Sequence, residues 1–341
     1  MEATIIGIDL AKNSFQLCGV DKSGKELWQR QISRSRLIPF IDRQSRCVIA
    51  MEACGGAQHW GREFQRMGFE VKLVAPQFVK PFVKSQKNDY QDALAICEAA
   101  SRPQMRFSSI KTVEEQDVQS VHRYRELLVA QRTMVMNHAR GLLSEFGLVF
   151  PKGANGFFKN ISLLLENEKE IPPSLRNVLN LLTEQVLELS AKIKECEKLL
   201  GIIFANNPLC AMFERLPGIG KITATALLTV KTQAHGLKNG REFSSSLGLI
   251  PRQNSTGGKD RLLGITKRGD GYLRKLLVHG ARASLRWSEN KSDSISVWAQ
   301  QIKLRRGANR AAVALANKNA RLIWAIIKNK EDFVWVSELA A

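Results

Sequence analysis

Thr4-Ile5-Ile6-Gly7-Ile8-Asp9 is a short, apolar, β-branched run that delivers a carboxylate at its end. A run of this length and composition reads as a strand buried on both faces of a sheet. Carrying an acid out of such a strand costs free energy unless a cation meets it there. Downstream, Phe15-Gln16-Leu17-Cys18-Gly19-Val20 alternates, turns at Asp21-Lys22-Ser23-Gly24, and returns through Glu26-Leu27-Trp28. The three segments predict a β-meander whose first strand carries the acid.

The opening pattern then recurs. Ser45 to Glu52 is a second apolar run ending in a carboxylate, and Gly55-Gly56 breaks the chain before a helix over Gln58 to Met67. Gly68 to Pro76 reads as a further strand, preceded by a glycine that caps the helix. After the basic, polar stretch Lys80 to Asn88, Asp89-Tyr90-Gln91-Asp92 opens a helix that runs through Ala100. This alternation predicts an α/β domain over residues 1–110. A meander with an acid on its first strand occurs in ribonuclease-H-like nucleases and in actin-like sugar kinases. The kinases need glycine after the Asp, because backbone N–H groups must approach phosphate closely. Here Leu10-Ala11-Lys12-Asn13 follows, which favours the nuclease branch.

Four carboxylates thus come from three elements: Asp9 and Glu52 from strand ends, Asp89 and Asp92 from a helix start. The last two are three residues apart and share a helix face. Asp at a helix start is also an ordinary cap, favoured by the helix dipole, so Asp92 alone is open to either reading. Taken as an ordered set, the four match a two-metal phosphodiester site. Hard cations such as Mg2+ or Mn2+ take oxygen ligands, and a metal pair stabilises both the attacking and the leaving oxygen.

The chain has 341 residues, enough for two or three domains. Its net charge of +19 is unevenly spread. Residues 1–200 hold 28 Lys and Arg against 23 Asp and Glu, whereas residues 201–341 hold 23 against 9. The basic C-terminal part points to a polyanionic partner. No run reaches the ~18 apolar residues of a membrane span, and no cationic-then-apolar leader opens the chain, so no membrane partner and a cytoplasmic location are expected. Six scattered cysteines show neither C-x-x-C nor zinc spacing and read as reduced thiols.

Residues 111–205 predict a helical, coiled-coil region for oligomerisation. Leu175, Leu179, Leu182, Val186, Leu189, Ile193, Cys196 and Leu200 step four and three alternately, an a/d seam over more than three heptads. An intrachain hairpin would bury it, but the expectation is that it pairs with the same helix, or with the helix of 113–146, of another subunit. Pro151 to Asn160 reads as a connector.

Residues 206–341 predict a mainly helical C-terminal domain. Leu216-Pro217-Gly218-Ile219-Gly220-Lys221 matches a helix-hairpin-helix, whose glycines would let backbone N–H groups meet a phosphate, with Gly218, Gly220 and Lys221 at the contact. Further on, Pro251-Arg252-Gln253-Asn254-Ser255-Thr256-Gly257-Gly258-Lys259 is a polar loop with two hydroxyls between cations. Gly264-Ile265-Thr266-Lys267-Arg268-Gly269-Asp270 leads into a basic helix from Tyr272 to Arg286. Arg252, Lys259, Lys267, Arg268 and Arg274 are candidate phosphate contacts.

Together these motifs resemble the DEDD insertion-sequence transposases, relatives of the Piv DNA invertase. G-I-D-x-A-K, M-E-A-x-G and K-N-D-x-x-D-A are similar to that family's RuvC-like domain, and L-P-G-I-G, G-L-I-P-R-Q-N-S-T-G-G-K and I-T-K-R-G-D-x-Y-L-R-x-L-L to its C-terminal transposase domain. The resemblance covers nearly the whole chain. It implies site-specific recombination of target and donor DNA guided by a structured bridge RNA. It also implies a serine nucleophile working with the Mg2+-binding carboxylates, and homodimers and homotetramers with a composite site. Some relatives have one serine before one glycine here, whereas Ser255 and Thr256 both precede Gly257-Gly258. Ser255 is the expected nucleophile, a primary hydroxyl being less hindered at phosphorus. The alternative is a RuvC-like metal-dependent endonuclease, such as a junction resolvase, that uses water.

Overall fold

The computed structural model describes residues 2–83, 89–166 and 171–329. The chain divides into two compact units, residues 1–113 and 114–341.

In the first unit the meander forms as β1 (Ile5–Asp9), β2 (Ser14–Val20) and β3 (Glu26–Ser33). A short helix α1 (Leu37–Asp42), not anticipated from sequence, leads to β4 (Val48–Glu52). Helix α2 (Ala57–Arg66), strand β5 (Glu70–Val74), the single turn α3 (Pro76–Val79), helix α4 (Asp89–Ser101) and a two-residue strand β6 (Phe107–Ser108) complete it. The sheet order is β3-β2-β1-β4-β5-β6. The meander is antiparallel, while β1, β4 and β5 run parallel. That order puts the two acid-bearing strands next to each other at the centre. Ile6, Ile8, Ile49 and Met51 are fully buried, as their β-branched or apolar side chains require of central strands. The result is a mixed α/β unit consistent with a ribonuclease-H-like domain.

The second unit opens with α5 (Val113–Ser144), α6 (Ala154–Glu166) and α7 (Pro173–Ala205). The expected connector is in fact α6, whose Phe157, Ile161 and Leu164 fill a shared core with α5 and α7. Asn and Gly gave this stretch a loop-like composition, but its apolar residues recur at helical spacing. The α7 seam is buried within the chain: Leu179 and Val186 are inaccessible, and Leu189, Ile193 and Cys196 nearly so. This corrects the expectation of an intersubunit seam. α5 and α6 already cover it.

The C-terminal part contains α8 (Pro208–Glu214), α9 (Lys221–Leu227), α10 (Lys231–Gly236) and α11 (Gly240–Ser246). A two-stranded hairpin, β7 (Pro251–Gln253) and β8 (Leu262–Ile265), precedes α12 (Gly271–Trp287), α13 (Ser294–Arg306) and α14 (Ala308–Lys328). Helix α14 lies at the centre of this core and buries Ala311, Ala312, Ala316 and Ala320, small side chains that let neighbouring helices approach. Two buried polar contacts tie α5 to it. His122 bonds Tyr272 Oη at 3.0 Å and Thr225 Oγ1 at 3.1 Å, and the Glu115 carboxylate accepts the Thr232 N–H and hydroxyl. Among the described residues no helix is long and apolar enough to cross a membrane.

Candidate functional site

Register sets the acids in place. Ile8 pairs with Met51, so Asp9 and Glu52 end neighbouring parallel strands side by side. Helix α4 can lie directly on β1 because Gly7 has no side chain: a Cβ there would stand 2.4 Å from Ala93 O and 2.6 Å from Cys97 Sγ. The contact at Ala93 brings its neighbour Asp92 to the same end of the sheet as Asp9. This placement has an electrostatic consequence. Burial pushes the Glu52 carboxyl above the usual carboxylate range, and the charge of Asp92 pushes it the same way. The Cys54 thiol is raised by burial and then by Glu52 and Asp9.

Asp9, Glu52 and Asp92 thus share one neighbourhood, while the side chain of Asp89 lies outside the described residues. Among the described residues, no three His, Cys, Asp or Glu side chains form a group that could hold a metal ion. The donor set is all carboxylate oxygen, the chemistry a hard divalent cation takes. Burial and then the charge of Asp92 raise the Glu52 carboxyl, and a bound cation would favour its ionised form.

In the second unit the Ser255 loop is a β-hairpin rather than an irregular turn. Gly257 and Gly258 have φ of 55° and 76°, the two positive values of a type I′ turn. Thr256 bridges Lys259 across this tip, and Gln253 pairs with Leu262 further down. The same register sets Ser255 opposite Asp260. The Ser255 hydroxyl donates to Asp260 Oδ1 at 3.0 Å and accepts from Gln253 Nε2 at 2.9 Å and the Arg261 N–H at 3.3 Å. Gln253 also donates to Asp260 at 3.1 Å. Asp260 was missed from sequence, although its signal was there. A Gly-Gly hairpin pairs the residues two before and two after it. Among the described residues the Thr256 hydroxyl has no such partner.

The expected phosphate contacts divide. Arg252, Lys259, Lys267 and Arg268 are exposed on or beside the hairpin. Arg274 is turned inward, its Nη1 donating to Leu247 O at 3.0 Å and Arg268 O at 3.2 Å, where it holds the loop preceding α12. Gly218, with φ of 82°, serves packing: a Cβ there would stand 2.3 Å from Gly280 O on α12. Gly220 and Lys221 remain exposed at the start of α9.

Comparison with known proteins gives two family matches. Residues 6–148 match a family model described as Transposase, of the DEDD IS110 kind, and residues 210–295 match the Transposase IS116/IS110/IS902 family. The transposase for insertion sequence element IS1111A of Coxiella burnetii is 44% identical over 96% of this chain and 91% of its own length. A probable family 20 transposase of Pseudomonas aeruginosa is 44% identical over 97% of this chain and 98% of its own. The transposase for insertion sequence element IS1328 of Yersinia enterocolitica is 41% identical over 95% and 96%.

Proposed function

The chain belongs to the IS116/IS110/IS902 family of insertion-sequence transposases, and from that premise we propose that it cuts and rejoins DNA through a transient phosphodiester link to Ser255. The observation that carries this reading is the Ser255–Asp260 hydrogen bond on an exposed hairpin. In the forward step Ser255 Oγ attacks a backbone phosphorus while Asp260 takes the hydroxyl proton. The serine O–P bond forms, one bridging P–O bond breaks, and the departing strand end leaves as a hydroxyl after taking up a proton. In the return step a strand-end hydroxyl attacks the phosphoserine and restores both the strand and the free serine. Covalent catalysis keeps the bond energy for rejoining, which hydrolysis by water would lose. Arg252 and Lys259, both exposed, would offset charge on the phosphorus oxygens.

Asp9, Glu52, Asp89 and Asp92 are the residues that would hold Mg2+ or Mn2+. Such an ion supplies Lewis-acid stabilisation of charge on the reacting phosphate oxygens. The excess of cations in residues 201–341 supports binding of DNA and of a structured guide RNA, the partners the resemblance implies.

For self-association the candidate surface is the outer face of α7. Val178, Leu181, Leu199 and Ile202 are exposed there, and Gln185, Glu188, Lys192 and Glu195 continue the same stripe between them. An antiparallel pair of α7 helices centred on Ser190 would set Val178 against Ile202, Leu181 against Leu199 and Glu188 against Lys192. Apolar ends and opposite charges then match under a two-fold axis, as a symmetric dimer requires.

The test of the central reading is capture on a nicked suicide DNA. The parent protein forms a covalent protein–DNA adduct and Ser255→Ala does not, while Thr256→Ala does. An adduct that persists in Ser255→Ala and vanishes in Thr256→Ala would transfer the role to Thr256. Strand cleavage by the parent with no adduct would favour the water-using endonuclease.

A further inference from the structure

The C-terminal part of the second unit contains a groove of about 1780 Å³ between α14 and the base of the β7–β8 hairpin. Among the described residues that line it, six are cations, Arg241, Lys267, Arg306, Arg310, Lys318 and Arg321, and none is a carboxylate. None of the six is in an ion pair among the described residues, so their charge is not neutralised by a carboxylate there. Concentrating like charge in one groove is unfavourable for the free protein, and a polyanion relieves it.

The spaces between the cations are apolar. Ile265 and Val313 line the groove, and Leu262 is 66% exposed at its edge. Trp298 also lines it, with the Lys318 ammonium 4.4 Å from the ring centroid. A duplex turns its bases inward and would leave these apolar surfaces facing phosphate. A single strand offers phosphates to the cations and base faces to the apolar wall. The floor is held in shape: Asn317 donates to Ser244 Oγ at 3.3 Å and Leu249 O at 3.2 Å, and Trp324 Nε1 donates to Ala234 O at 3.0 Å. Lys267, at the rim, has a φ of 56°, and no other described non-glycine residue has a positive φ. Strain of this kind clusters at ligand clamps.

We propose that this groove binds a single-stranded nucleic acid and leads it along the hairpin that carries Ser255. The proposal rests on the transposase reading for the purpose of the strand, but its binding claim stands apart from the serine chemistry. One chemistry serves two sources here, a melted DNA strand or an unpaired RNA segment, and both present phosphates with free base faces.

The test uses the full-length protein and three labelled probes: a 20-nucleotide oligo-dT, a 20-nucleotide oligo-U and a 20-base-pair duplex. Anisotropy is measured from 50 to 300 mM salt for the parent, for Arg310→Ala/Arg321→Ala, and for a control double variant, Lys22→Ala/Lys25→Ala. Arg310, Arg321, Lys22 and Lys25 are all exposed, so folding is preserved. The groove variant should lose at least tenfold in single-strand affinity, and its salt slope should fall by roughly 1.4, about 0.7 for each lost contact. Duplex affinity should change by less than threefold, and the control should match the parent. The single-stranded probe more affected identifies the source, DNA or RNA. Single-strand affinity within twofold of the parent would overturn the proposal. So would an equal loss for duplex, or displacement of the oligonucleotides by poly-glutamate as effectively as by unlabelled strand. Ser255→Ala should bind every probe as the parent does, so loss of the covalent adduct and loss of groove binding are read separately.

Discussion

Asp260 Oδ1 lies 3.0 Å from the Ser255 hydroxyl, directly across the β7–β8 hairpin. A serine hydroxyl is a weak nucleophile until a base takes its proton, and this carboxylate is within reach. Asp260→Asn should keep the hairpin's hydrogen bonds but slow adduct formation on suicide DNA by roughly 10²- to 10⁴-fold, the range for loss of a general base. A rate within threefold of the parent would assign Asp260 to orientation alone.

The crowded acids of the first unit give a second expectation. Asp9→Asn should abolish strand cleavage while leaving nucleic-acid affinity within about threefold, since the proposed phosphate contacts lie elsewhere. Glu52→Gln removes a carboxylate opposed by burial and by Asp92. In the absence of divalent ions it should melt higher than the parent, and it should lose the stabilisation that added Mn2+ gives the parent. Equal Mn2+-dependent shifts in both proteins would count against metal binding at these acids.

His122 makes stability depend on pH. Burial, reinforced by the charge of Arg125, lowers its pKa from 6.5 to about 4. The unfolded chain therefore binds a proton that the folded chain refuses as pH falls through this interval. Stability contributed by neutral His122 is fully present above pH 6.5 and declines toward pH 4, by up to about 3 kcal/mol. Urea melts at pH 7 and pH 5 should show a smaller difference for His122→Gln than for the parent. An identical difference would mean that other groups carry the acid sensitivity.

Seam and outer stripe of α7 should respond differently to charge. Leu189→Glu places a carboxylate in the shared core of α5, α6 and α7, and should destabilise the unit by about 3 kcal/mol or more. Leu181→Glu/Leu199→Glu, on the exposed stripe, should leave the melting temperature nearly unchanged and lower the oligomeric state in sedimentation velocity. An unchanged oligomer in a folded stripe variant would remove α7 from the interface.

Much of the first unit was legible because its signals are local. Strands ending in Asp9 and Glu52 are short apolar runs, and Asp89 opens a helix at the expected place. The heptads of α7 were equally plain, but periodicity states only that a face must be buried, not which helix buries it. Covering that face falls to α5 together with α6, whose glycine and asparagine content hid three well-spaced apolar residues. The serine loop was read from its hydroxyls and cations. Its hairpin, and with it Asp260, depended on recognising Gly257-Gly258 as a two-residue turn. Of the α14 groove only Lys267 and the basic composition were legible, because its cations come from α11, α13, α14 and the segment after β8.

Every residue from Pro251 to Leu262 is exposed, so the arm that holds Ser255 and Asp260 contributes almost nothing to the hydrophobic core. The serine chemistry proposed for this arm is therefore separable from folding, unlike the acids that end the buried strands β1 and β4. Sequence change at the tip can alter reactivity without a stability penalty to restrain it, and the same arm could be exchanged between related proteins as a cassette. A library confined to residues 252–261 should yield proteins that nearly all fold and differ chiefly in what they do to DNA.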